Sequence, residues 1–383
     1  MFLSFKIKLG AMHRPMAIGL KLEDLPEITT PLTPLTVLSG ANGSGKSTFL
    51  RGILRMKQVL EGGPETIKGH AGLWHCSYLI PGTTALLIYE LEWEKDGANL
   101  KEAIRWLNLA KDDVLALDAG RKLKLWDLDL PADVFSGLSL FQDIDAEGLE
   151  AALLEKDWSQ AARAAVGSLR QSLSDCFYEV PTDDKEQWSA LPTGKLRQLA
   201  GIIDGPYPRL DDGGTDPDRD PSAVIRQIQA KDTPTAYEKL LVASLRNRDD
   251  KKFRARIDEL SAAERRLFLI TMPLLAGDRR PCLILCENPD ERLFRENSEA
   301  LALLLREAGI YQPGTQWILS SHFTSFLDVF HPREVWYFRA SVSSDEDKFL
   351  DFRAPENLGE DPAVTAMVDQ GIPLSELAYG AYF

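Results

Sequence analysis

Between Leu35 and Leu60 the chain runs from an apolar stretch, Leu35 to Ser39, into Gly40-Ala41-Asn42-Gly43-Ser44-Gly45-Lys46-Ser47-Thr48. An amphipathic run follows, with Phe49, Leu50, Ile53, Leu54 and Leu60 on one face. The central segment satisfies G-x-x-x-x-G-K-[ST] in full. This feature constrains the fold more than any other, because it has to join a strand to a helix. Its small residues allow a bend whose backbone amides turn inward, and the departing helix presents its positive end to the same point. A bend of that kind grips an anion. Lys46 adds one positive charge on a flexible stem, and the Ser47 hydroxyl suits the shell of a Mg²⁺ ion. The β- and γ-phosphates of a nucleotide are the implied ligand. A glycine-rich turn without function is the bland alternative, and the strand before and helix after weigh against it.

With Asn42 in its middle, the loop resembles that of ABC transporters and of SMC and RecF proteins. In this resemblance Gly40 to Thr48 is the Walker A segment, and ATP with Mg²⁺ is the implied cofactor pair. Three later segments stand in the order the resemblance requires. Leu260-Ser261-Ala262-Ala263-Glu264-Arg265-Arg266 precedes an apolar helix and reads on its own as a capping box. It looks like the ABC signature, which implies that Ser261 and Ala263 meet the γ-phosphate of ATP held by a second subunit. The family has glycine where this chain has Ala263, and a methyl group there opposes close backbone approach to phosphate.

Leu283-Ile284-Leu285-Cys286-Glu287-Asn288-Pro289-Asp290-Glu291-Arg292-Leu293 resembles the Walker B segment of SMC-like and OLD-like ATPases. Pro289, Asp290 and Leu293 set the register. Glu287 then takes the Mg²⁺ position and Asn288 the position of the glutamate that activates water. An amide cannot accept that proton, and general-base help is commonly worth about 10²–10⁴-fold. A shifted register makes Glu287 the base and puts Cys286 at the metal. Gln316-Trp317-Ile318-Leu319-Ser320-Ser321-His322 is a strand ending in histidine. His322 looks like the family's switch histidine; a structural histidine at a strand end is the other reading. Gln142, after the apolar Leu138 to Phe141, is either the family's Q-loop glutamine at the metal or a surface residue.

The resemblance covers Phe2 to about Leu60 and Leu260 to Phe383, and implies an α/β fold of the P-loop, ABC-ATPase-like kind. A mixed sheet flanked by helices is expected, interrupted by a mostly helical insertion. The domain reading is an N-terminal lobe over 1–99, an insertion with an Asp/Gly/Pro-rich loop over 100–234, and a C-terminal lobe over 235–383. Strands are expected at Phe2 to Leu9, Ala17 to Leu22, Leu35 to Ser39, Ser77 to Ile80, Ala85 to Glu94, Cys282 to Cys286, Gln316 to Ser320 and Val335 to Arg339. Leu100 to about Leu199 reads as mostly helical. The ending from Gly371 to Tyr382 resembles that of many stand-alone prokaryotic ABC-like proteins.

Composition narrows the setting. Asp plus Glu is 58 against 44 for Lys plus Arg, a net charge of −14, which opposes broad non-specific binding to nucleic acid. The basic run Arg246, Arg248, Lys251, Lys252, Arg254 and Arg256 reads as a solvated helix face or as a contact for DNA or an acidic partner. The four cysteines, Cys76, Cys176, Cys282 and Cys286, form no disulfide framework and match no zinc spacing. Buried strand cysteines in a reducing cytoplasm are expected. No stretch is apolar enough to span a membrane.

The resemblance implies association of two or more copies through ATP, and a separate effector protein as partner. Its usual settings are DNA-linked work and prokaryotic anti-phage defence. The reading is an ATP-dependent switch or scaffold with impaired hydrolysis. The alternatives are an active DNA-linked ATPase similar to RecF and SMC proteins, and a P-loop kinase of a small substrate.

Overall fold

A computed structural model describes residues 1–10, 12, 14–20, 30–62, 71–80, 85–94, 101–109, 125–127, 138–141, 151–152, 155, 157–175, 177–179, 270, 282–291, 298–299, 301–303, 305–306, 315–339 and 352–379. The chain divides into two units. The first comprises Met1–Tyr178, Cys282–Glu287 and Ala302–Phe383; the second comprises Glu179–Pro281 and Asn288–Leu301. The α/β class expected from the sequence is the one observed.

Among the described residues, two six-stranded sheets form. The first has the order β2-β1-β4-β5-β6-β7, with β1 Phe2–Leu9, β2 Met16–Gly19, β4 Gly72–Leu79, β5 Ala85–Trp93, β6 Lys101–Leu109 and β7 Leu125–Asp127. Every pairing in it is antiparallel. The second has the order β12-β11-β3-β10-β9-β8, with β3 Leu35–Gly40, β8 Phe177–Glu179, β9 Leu283–Glu287, β10 Gln316–Ser320, β11 Val335–Phe338 and β12 Glu356–Asn357. The run β11-β3-β10-β9 is parallel, and β12 closes its edge antiparallel. Strands β9 and β10 are buried at every position, which is why their sequences read as continuous apolar runs and not as alternations.

Helix α1, Lys46–Gly62, follows β3 directly and lies close to β1. A Cβ on Gly52 would stand 2.7 Å from Ile7 Cγ2, so the missing side chain permits this approach. Phe49, Leu50 and Ile53 are buried in one apolar cluster with Phe5, Ile7, Trp74, Leu285, Ile318 and Phe338. The Phe49 and Phe338 rings meet edge-on with centroids 5.8 Å apart. Gln316 ties the two sheets together. Its Nε2 donates to the Phe2 carbonyl at 2.8 Å and its Oε1 accepts from the Phe2 amide at 2.8 Å. Those bonds satisfy an amide side chain that is only 2% exposed.

The helical reading of Leu100 to Leu199 is corrected at three places: Lys101–Leu109, Leu125–Asp127 and Phe177–Glu179 are strands. In the first, the pattern has period two. Lys101, Ala103 and Arg105 are exposed, while Trp106 is buried and Glu102 and Ile104 are half-buried. Glu102 faces inward because its Oε1 accepts from the Tyr89 hydroxyl at 2.7 Å and the Leu140 amide at 2.9 Å. A charged residue on the inner face hid the alternation. The strand expected over Ala17 to Leu22 is Met16–Gly19 instead, ending where Gly19 takes φ +87° against the Leu3 carbonyl.

Helix α2, Trp158–Ser174, does form, capped by Asp157. It is held to β4 by the Tyr78 hydroxyl, which contacts Ser172 Oγ at 2.8 Å and Ser168 Oγ at 3.1 Å. Cys76 and Cys286 are buried within β4 and β9, as expected of strand cysteines, whereas Cys282 is half-buried one residue before β9. Near the C-terminus lie α3, Pro362–Asp369, and α4, Leu374–Tyr379. Asp328 Oδ1 accepts from the Ser375 amide at 2.7 Å, which fixes the tail against the segment that follows His322.

Candidate nucleotide-binding site

The parallel strands end together. Ser320 at the tip of β10 is in register with Glu287 at the tip of β9 and with Leu38, two residues short of the phosphate loop, on β3. The crevice outside the carboxyl ends of parallel strands is where α/β folds place ligands. In this chain the loop follows β3, a buried carboxylate ends β9 and the serine–histidine segment follows β10 at those ends.

Three glycines shape the loop, each with positive φ: Gly40 at +132°, Gly43 at +77° and Gly45 at +101°. Their reasons differ. A Cβ on Gly40 would fall 2.0 Å from the Phe338 carbonyl oxygen on β11, an impossible contact, whereas nothing lies within 4 Å of one on Gly43. Backbone conformation alone requires glycine at 43. Gly40→Ala should therefore destabilise the fold by more than about 3 kcal/mol, since strain and overlap add. Denaturant unfolding checks this, and a change under about 1 kcal/mol would contradict the close fit. At Gly45 the tight neighbours are Phe352 Cδ1 at 2.9 Å and Met16 Sδ at 3.0 Å.

The Ser44 amide donates to the Ala41 carbonyl at 3.3 Å, closing a turn, and the helix bonds start with Phe49 N–H to the Gly45 carbonyl at 2.8 Å. Ala41, Asn42 and Gly43 are exposed; Ser47 and Thr48 are half-buried on the first turn of α1.

Lys46 folds back into the loop. Its Nζ donates to the Gly40 carbonyl at 2.5 Å, the Ala41 carbonyl at 2.9 Å and Ser44 Oγ at 3.3 Å. Only 2% of the residue is exposed. Burial pushes its pKa down from 10.5 to about 8, against a smaller upward pull from Glu287. A lysine shifted this way costs stability while charged. That penalty is fully present below about pH 8 and is lifted as pH rises toward 10.5. A bound phosphate would restore the favourable pairing, so binding takes up a proton in this window. ATP affinity should fall above about pH 8, by at most about tenfold per pH unit. Dissociation constants measured from pH 7 to 9.5 test this, and a flat profile would contradict it.

Glu287 ends β9 with 7% of its surface exposed. Arg51, one turn beyond Ser47 on α1, brings its Nη2 to 3.8 Å from Glu287 Oε2. Beyond β10, the Ser321 amide donates to the Leu38 carbonyl at 2.9 Å, and Ser321 Oγ accepts from the Phe323 amide at 3.0 Å. These bonds fix the backbone around His322, which is exposed at the strand tip. Asn288 follows Glu287 in sequence and begins the second segment of the second unit, with φ +47°. The Glu291 amide donates to its carbonyl at 3.1 Å, making Asn288-Pro289-Asp290-Glu291 a turn. Proline suits the second position of such a turn, and asparagine tolerates the left-handed region better than most residues.

Ser47 and Glu287 offer a hydroxyl and a carboxylate oxygen. These hard donors match Mg²⁺, which binds through one or two protein oxygens, phosphates and water. The residues present fit that ion. The structure thus brings Gly40 to Thr48, Glu287 and the Ser320–His322 segment to one end of one sheet. Gln142, Ser261, Ala263 and the basic run from Arg246 to Arg256 lie outside the described residues. Sequence reading missed Arg51, Met16 and Phe352. The i,i+4 spacing of Ser47 and Arg51 was a usable signal for the first; nothing local marks Phe352 as a neighbour of Gly45.

No family model matches the sequence, and no curated protein matches it. Among solved structures, the chain is similar to an SMC head domain from Thermotoga maritima, at 13% identity and a TM-score of 0.41, over 93% of this chain and 99% of that one. It is also similar to an Smc head domain bound to the C-terminal domain of ScpA derived from Pyrococcus furiosus, at 10% identity and a TM-score of 0.42, over 96% and 99%. A third is a nucleotide-free ATP-binding cassette from an ABC transporter, at 12% identity and a TM-score of 0.35, over 96% and 99%. Among the described residues no helix is long and apolar enough to cross a membrane. What the chain displays in its own strand order and loop is an α/β fold with a phosphate loop at the head of a helix.

Proposed function

We propose that the chain binds ATP with Mg²⁺ in the loop Gly40 to Thr48 and works as a nucleotide-dependent switch that turns ATP over slowly. One observation carries the binding half: the Lys46 ammonium is buried inside a loop of glycines, bonded only to neutral oxygens. A desolvated cation whose hydrogen bonds all go to neutral oxygens, with Glu287 only a lesser electrostatic partner, is held ready for phosphate. Ser47 and Glu287 would hold Mg²⁺, which when bound supplies charge neutralisation to the phosphates. His322, two residues beyond the end of β10, would report on the γ-phosphate.

The slow half rests on Asn288. Hydrolysis forms a bond from water oxygen to the γ-phosphorus and breaks the bridging P–O bond, and the water proton needs an acceptor. Asparagine at the position following Glu287 cannot be that acceptor. In the resemblance to ABC-like proteins, Ser261 of a second copy completes the site, with Ala263 weakening its closure. Oligomerisation through ATP and output through a separate effector follow from this reading, and prokaryotic anti-phage defence is the setting it favours. Equilibrium dialysis with labelled ATP tests it. The expected result is about one nucleotide retained per chain when Mg²⁺ is present; failure to retain any would overturn the proposal.

A further inference from the structure

Helix α1 carries Ser47, Arg51 and Arg55 along one stripe. Ser47 and Arg51 are four residues apart, so they stand one above the other. Arg51 reaches across to the tip of β9, to 3.8 Å from Glu287. The partners live in different surroundings: the Arg51 side chain is 62% exposed and that of Glu287 9%. The inner face of α1 is made by Phe49, Leu50 and Ile53, so Arg51 contributes nothing to the core. Its ordered neighbour is the carboxylate.

The carboxylate is buried and the guanidinium is exposed. Glu287 sits on a strand paired in parallel register with β10 along its length. Arg51 hangs from a solvent-facing helix position. A separation of 3.8 Å is an ion pair without the 2.7–2.9 Å contact of a strong charge-assisted hydrogen bond. Such a pair is loose and yields readily to a competitor. Glu287 also exerts a favourable field on the Lys46 ammonium. One buried carboxylate therefore balances a cation inside the loop and a second outside it.

We propose that Arg51 is a placeholder cation. It neutralises Glu287 in the nucleotide-free protein and gives way when Mg²⁺ enters with its nucleotide, so it sets the Mg²⁺ concentration at which nucleotide is held. Arg51 acts through Glu287 and is a positioning residue. The inference rests on the reading of this site as one for Mg²⁺ and ATP. The physical reason is competition. A carboxylate already facing a guanidinium is a poorer partner for a hydrated dication, because the two positive charges repel and only one can hold the oxygen closely.

The test is a Mg²⁺ titration of fluorescent ATP-analogue binding to the full chain, with the parent, Arg51→Met, Glu287→Gln and the double variant. Methionine keeps an unbranched apolar stem and removes the charge. Arg51→Met should lower the Mg²⁺ midpoint about two- to five-fold, the scale of an exposed ion pair, while binding in excess EDTA stays as in the parent. In the Glu287→Gln background the same substitution should shift nothing. High salt should move the parent midpoint toward that of Arg51→Met, because exposed pairs are screened. Arg51→Lys, which keeps the charge on a different stem, should fall between and guards against a folding defect. An unmoved or raised midpoint would overturn the proposal, as would weaker binding in EDTA, which would make Arg51 a phosphate ligand. If the parent binds the analogue and only the midpoint fails to respond, the role of Arg51 alone falls. If the parent binds no nucleotide, the reading of the site falls with it.

Discussion

Lys46→Ala should lose ATP affinity by at least about 100-fold while unfolding at no lower temperature than its parent. The two halves of this expectation have one origin. The ammonium is buried among neutral acceptors, and its pKa is depressed to about 8. Removing it takes away a desolvated charge that lowers stability at neutral pH. In the complex the same charge meets phosphate in a site sheltered from water, where a charge-assisted contact is far stronger than in solution. Its loss is then uncompensated, and about 100-fold corresponds to roughly 2.7 kcal/mol. Isothermal titration gives the affinity and a thermal melt of the nucleotide-free proteins gives the stability. Retained affinity would remove the basis of the site. A large fall in melting temperature would show that Lys46 is mainly a structural strut.

The second large effect is expected at Asn288. Replacing it by glutamate should raise phosphate release by about 10- to 100-fold, below the full 10²–10⁴-fold commonly supplied by a general base. Two features hold it below that ceiling. The backbone at 288 has φ +47°, where asparagine is tolerated and a longer side chain costs roughly 1–2 kcal/mol. Ala263 also stands where the signature of ABC-like proteins has glycine, and it is untouched by the substitution. Asn288→Asp separates the two contributions, because aspartate accepts the left-handed backbone and carries a carboxylate. A gain with aspartate and none with glutamate would locate the barrier in backbone strain. No gain with either would place it elsewhere, with the signature segment the next position to change.

Much of the fold was legible because its signals were local. Strand β1 and strand β10 match their expected spans residue for residue, as alternation and a short apolar run respectively predict. The phosphate loop announced both the strand before it and the helix after it. Failures arose where tertiary contacts overrode local pattern. Glu102 sits on the inner face of β6 only because Tyr89 and the 138–141 segment supply donors for it, and nothing near Glu102 in sequence reveals those partners. Phe352 at Gly45 is equally invisible, since the contact joins distant parts of the chain. Glu287 was placed by the register that Pro289, Asp290 and Leu293 set after an apolar run. Its buried state and its pairing with Arg51 needed coordinates.

Under the proposed function the site fills with ATP and turns it over slowly. The most direct measurement incubates the full chain with Mg²⁺ and doubly labelled ATP, and reads bound nucleotide and released phosphate from the same samples. The predicted result is near-complete occupancy with turnover far below the roughly 10 s⁻¹ typical of enzymes, so that most bound nucleotide is intact ATP. Turnover of several per second with ADP as the bound species would contradict it.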